Sequence, residues 1–118
     1  MTTPENVRTQ RLLSILSMGL CDALQDETIS HDEAELLLFS PHMMRLCKNI
    51  AASKLLLDLI HLGTELHSIK RLVGTDEWNR SLNEIRENAR FVLAQSEVTD
   101  SQLDSWVDRL LGNDSCRS

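Results

Sequence analysis

The chain has 118 residues, 42% of them hydrophobic and 25% charged, with 12 Lys and Arg against 18 Asp and Glu for a formal net charge of -6. That length fits one domain that buries a core without disulfides or a structural metal. The acidic balance, with scattered cations and 3% aromatic residues, argues against a nucleic-acid partner, because a phosphate footprint and a base-stacking platform are both missing.

Leucine dominates the apolar set, Tyr is absent, and there are two Phe and two Trp, a balance that favours helices over strands. Thr3-Pro4-Glu5 supplies a cap, a proline at the first helical position and an acid in the first turn. The first helix is predicted to run to about Gln25, with Leu12, Leu13, Ile15, Leu16, Leu20, Ala23 and Leu24 covering a broad buried face. Arg8 and Arg11 ahead of the run Leu12–Cys21 imitate a signal peptide. Leu20 stands where processing needs a small residue, however, and the helical pattern continues past Cys21. No run approaches the roughly 18–20 apolar residues of a membrane span, so no membrane partner is expected.

Ser30-His31-Asp32-Glu33 is a capping box that opens a second helix to about Phe39, and Ser40-Pro41 opens a third to about Asn49. A fourth helix begins near Ser53, where Leu55, Leu59, Leu62, Leu66, Ile69 and Val73 form a strict seam that Leu56 and Ile60 widen. Gly74 ends it and Thr75 caps a fifth helix to Gln95, whose inner positions are Trp78, Leu82, Ile85, Ala89 and Val92. A second capping box at Thr99–Gln102 opens a sixth helix carrying Leu103, Trp106, Val107, Leu110 and Leu111, with Gly112 at its end. The expected fold is all-α: a compact, mostly antiparallel bundle of five or six helices, one domain over residues 1–112 and a disordered tail over 113–118.

The charges are unevenly placed. Asp22, Asp26, Glu27, Asp32, Glu33 and Glu35 lie in a stretch with no Lys or Arg. An EF-hand reading fails, because counting from Asp26 puts His31 at the glycine position and Leu37 at the bidentate glutamate position. The run therefore reads either as a solvated connector with acids in a helix first turn, or as an acidic docking surface for a basic protein partner. On the fourth helix His61 and Glu65 share a face one turn apart beside Thr64, a low-specificity polar site; no third ligand follows from spacing, so no metal or cofactor is expected. Cys21, Cys47 and Cys116 form neither a CxxC pair nor a disulfide framework. Cys21 and Cys47 sit in apolar runs as small core residues, and the odd count suits a reducing cytoplasm. Gly19 and Gly63 interrupt helices, and the first and fourth helices are expected to cross near them. Met43 and Met44 read as core fillers or as a plastic binding patch. There is no GxGxxG, P-loop, GxSxG or HExxH.

Three runs together carry a resemblance. They are Leu12–Leu20 with Asp22-Ala23-Leu24; Ile29-Ser30 with Glu33-Ala34-Glu35 and Leu37–Pro41; and Asp58–Leu66. Over about residues 12 to 95 the chain resembles a family of small uncharacterised bacterial proteins, a domain of unknown function. The resemblance implies a bacterial cytoplasmic protein, supplies no catalytic residues, and singles out His61, Gly63, Thr64 and Glu65.

The favoured function is a non-enzymatic protein–protein interaction module, of an immunity or adaptor type, that docks through the acidic surface. The alternative is a small metal-dependent or acid–base enzyme using His61 and Glu65. A homodimer meeting through the fourth- and fifth-helix seams is a third reading.

Overall fold

Short-range capping decides where most helices start. The computed structural model describes residues 4–95, with α1 at Pro4–Gln25, α2 at His31–Leu37, α3 at Pro41–Asn49, α4 at Lys54–Leu72 and α5 at Thr75–Gln95. Ser30, Ser40 and Ser53 each turn a hydroxyl toward a helix start, accepting from the backbone N–H of Glu33, Met43 and Leu56 at 3.1, 3.2 and 3.2 Å. Each bond satisfies a donor that the first turn leaves without a helical partner. There is no strand among the described residues, and no described helix is long and apolar enough to cross a membrane.

Two helices close through a left-handed residue that is not glycine. At the end of α1, Thr28 N–H donates to the Ala23 carbonyl (2.8 Å) and Glu27 N–H to that of Leu24 (3.1 Å). This is a Schellman closure, with Glu27 in the left-handed position at φ 60°. At the end of α3, Ala52 N–H donates to Cys47 (2.9 Å) and Ala51 takes the same conformation at φ 54°. Among the described residues only α4 uses the expected glycine, Gly74 at φ 129°.

α5 lies along both α1 and α4, while α3 and α2 pack on α4. The core is closed by Leu56, Leu59, Ile60 and Leu66 of α4, Trp78, Leu82, Ile85 and Ala89 of α5, and Leu38 and Phe39 from the α2–α3 junction. The α5 seam is thus buried throughout, whereas on the α4 seam Leu59 and Leu66 are buried, Leu55, Leu62 and Ile69 half-buried and Val73 exposed. The expected count of five or six helices is corrected for the described residues: among them four helices of nine residues or more build the bundle, and α2 is a seven-residue segment in the connection between α1 and α3. The sixth expected helix, the tail and Cys116 lie outside the described residues.

The broad leucine face expected on α1 is corrected as well. The buried positions are Gln10, Leu13, Ser14, Ser17, Cys21 and Leu24, whereas Leu12, Ile15 and Leu16 face outward. Ser14 and Ser17 can be buried because each hydroxyl donates to a carbonyl of its own helix, Gln10 at 2.9 Å and Leu13 at 2.8 Å. Gln10 accepts from Ser53 N–H at 2.9 Å, which ties α1 to the start of α4.

The glycines divide. A Cβ on Gly63 would run into the Phe39 ring, so this gap in α4 seats the junction between α2 and α3. Gly19 has open space around it. The expected crossing of α1 and α4 at the two glycines is therefore replaced by a Phe39–Gly63 wedge, and α1 takes α5 as its main neighbour.

Candidate functional site

The six acids fall into two groups once the helices are assembled. Asp26, Glu27, Asp32 and Glu33 are exposed along the α1–α2 connector and the first turn of α2, and they form no ion pair among the described residues. Asp22 is exposed but engaged: its Oδ1 accepts from Arg86 Nε at 2.8 Å. Glu35 is half-buried.

Arg86 is the centre of a network that closes α5 onto the end of α1. Its side chain is 11% exposed. Nε donates to Asp22, Nη1 to Asn83 Oδ1 (2.8 Å) and Nη2 to Gln25 Oε1 (2.6 Å); Gln25 Nε2 in turn donates to Asn79 Oδ1 (3.1 Å). A guanidinium buried this far needs each of its edges paired, and the geometry provides that. Cys21 lies beneath, fully buried, and desolvation pushes its thiol up to about 12, with Arg86 opposing and Asp22 adding to the shift. Cys47 is shifted upward by the same burial, and both cysteines are free. Neither is a thiolate nucleophile at neutral pH.

On the other side of the connector, α2 is held by a ring cluster with no simple sequence signature. Trp78 Nε1–H donates to His31 Nε2 at 3.0 Å. His31 stacks on His67 with centroids 5.1 Å apart and planes at 14°, and Lys70 Nζ stands 4.1 Å from the Trp78 ring centroid. To accept from the indole, His31 must be neutral with its proton on Nδ1. Burial holds its pKa below the ordinary imidazole value of 6.5, helped by the charges of His67 and Lys70 and opposed by Glu35 and Asp32. In the sequence His31 is only the first residue after a cap. Its partners lie 36 and 47 positions away on α4 and α5, beyond any local pattern.

The polar site on α4 stays apart from all of this. His61 and Glu65 are exposed, and Thr64 Oγ1 donates to the His61 carbonyl at 2.6 Å, a local bond within the helix. Among the described residues no group of three His, Cys, Asp or Glu gathers where it could hold a metal ion.

One apolar cavity of about 360 Å³ opens between α1 and α3, lined by Thr9 and Leu13 on one side and Met43, Leu46 and Ile50 on the other. The methionine pair is half-buried: Met43 lines this cavity, and both side chains pack on the core.

A family model described as a protein of unknown function (DUF3969) matches residues 4–108. No curated protein and no solved structure matches the chain.

Proposed function

The chain belongs to this family of unknown function, and we propose that it works by protein–protein contact, offering the acidic connector between α1 and α2 to a basic partner. The observation that carries the reading is the exposure of Asp26, Glu27, Asp32 and Glu33 on a connector held at each end. The α1 side is held by the Schellman closure and the Arg86 network, and the α2 side by the Trp78–His31 bond and the Phe39 wedge. Pre-organised charge of one sign steers encounter and sets register more than it adds affinity. An immunity-type or adaptor role in a bacterial cytoplasm fits such a surface, and two free buried thiols suit a reducing compartment.

Affinity capture from the native host at low ionic strength tests the reading. The expected result is a basic protein that is retained at low salt and released as salt rises. The double variant Asp32→Lys with Glu33→Lys should fail to retain it while keeping its melting temperature. Recovery of no partner at low salt, or equal capture by the charge-reversed variant, defeats the proposal.

A further inference from the structure

The outward face of α2 carries leucines beside its acids. The inner side of this helix faces the bundle: His31 bonds to Trp78, Ala34 is buried, and Leu38 and Phe39 follow it as core residues. The outer side shows Asp32, Glu33, Leu36 and Leu37. Leu36 is 86% exposed, the highest value for a large apolar side chain among the described residues, and Leu37 is 56% exposed. Asp32 and Leu36 stand one helical turn apart, as do Glu33 and Leu37, so two acid–leucine pairs run side by side along the helix. A single exposed leucine is ordinary on a protein surface. Two neighbours on a short helix seated from beneath form an apolar spot with an acidic border.

Charge decides what fits this face. Between Arg11 and Arg45 the chain has no Lys or Arg. Asp26 and Glu27 extend the acidic border along the connector. Lys70, the cation that α4 brings close to His31, sits over the Trp78 ring. A second copy of the chain docked here would set these four acids against their own equivalents, and an anionic lipid surface would meet the same repulsion. A basic segment meets neither penalty, and the leucines call for apolar residues beside its cations.

Resting on the reading that the acidic connector receives a basic partner, we propose that the outward face of α2 is the centre of that contact and that the partner presents an amphipathic helix, with apolar residues covering Leu36 and Leu37 and with Lys or Arg one turn away meeting Asp32 and Glu33. The leucines hold the partner, and the acids guide and register it. One turn rises about 5.4 Å in either helix, so residues four apart on the partner match the acid-to-leucine step of α2.

Three synthetic alanine-based helical peptides test this at low ionic strength. The matched peptide carries Leu and Lys four residues apart on one face, the offset peptide carries its leucines on the face opposite its lysines, and the charge-only peptide has Ala for each Leu. Titrated into the full-length protein with methyl-labelled leucine, the matched peptide should perturb the Leu36 and Leu37 methyls and bind about tenfold tighter than either control, as partial burial of leucine provides. Leu36→Ser should remove that advantage while keeping the melting temperature and the affinity for the charge-only peptide, and Leu36→Met should restore most of it. Equal affinities for matched and offset peptides, or matched binding that leaves both methyls unperturbed, overturns the leucine contact and leaves an acidic docking surface standing. Binding of all three no tighter than that of the same peptides with Glu in place of Lys defeats the leucine contact together with the reading on which it rests.

Discussion

The two ends of α1 solve different problems with the same helix. At its C-terminal end the helix is bound by one polar network, with Arg86 spanning Asp22, Asn83 and Gln25, while the Trp78–His31 bond holds the next helix in place. Its N-terminal half is held by separate bonds instead, with Asn6 donating to the Ile50 carbonyl at the end of α3, Gln10 accepting from the start of α4 and Arg11 donating to α5, beside an apolar groove toward α3. The difference teaches that the exposed acids and the exposed leucines of α1 mark different things here. The acids stand on a hydrogen-bonded support, whereas the leucines lie beside an apolar groove.

The largest expected effect comes at the support of the acidic end. Gly63→Leu places a side chain where the Phe39 ring lies, so Phe39 must leave the core and α2 must detach from α4. A loss of about 4 kcal/mol, read as a drop in the urea midpoint, is expected from overpacking compounded by exposure of a buried ring. An unchanged midpoint would mean that α2 is not seated by this wedge.

A matched pair sharpens the contrast between the two ends. Leu24 is almost fully buried near the connector, while Leu13 is buried beside the cavity. Leu24→Ala should cost about 4 kcal/mol and Leu13→Ala about 2 kcal/mol, because a leucine next to empty space forfeits fewer contacts. Equal losses in chemical denaturation would show that the groove end is packed as tightly as the other.

Removing the guanidinium is expected to matter less. Arg86→Met keeps volume but leaves Gln25 and Asn83 without their donor; Asp22, at 69% exposure, recovers water. A loss of about 2 kcal/mol is expected in thermal melts. The Asp22→Asn variant should lose well under half of that, since its carboxylate is largely solvated.

The smallest effect is a slope. His31 has its folded-state pKa lowered below 6.5, so the unfolded chain binds the proton more readily. Stability from this group is therefore fully present above 6.5 and is lost as pH falls through the folded-state value. Melting temperature should decline with acidification over that range in the native sequence. It should decline less in His31→Gln, whose amide oxygen still accepts from Trp78 but takes no proton. The indole N–H resonance of Trp78 should shift over the same window, and a pH-independent resonance would show that His31 does not titrate against this bond.

Sequence reading located the all-helical class, the helix starts at Ser30, Ser40 and Ser53, and the buried face of α5, because caps and helical periodicity are written within a few residues of where they act. The same local logic placed the acidic run around the connector. It missed Glu27 and Ala51 at the helix ends, where a hydrogen-bonded closure imposes the left-handed conformation on residues that do not favour it.

Other choices rest on partners far away in the chain. Periodicity on α1 offers both a leucine face and a serine–cysteine face, and α1's packing neighbours bury the second one. Gly63 marks a close approach in either reading, but only the assembled bundle makes its neighbour Phe39 instead of α1. Asp22 meets Arg86 across 64 positions and His31 meets Trp78 across 47. Capping and periodicity depend on the nearest turn of chain, so residue order determines them. Which acid is engaged and which face of a helix turns inward depend on how the helices pack, and tertiary structure alone decides that.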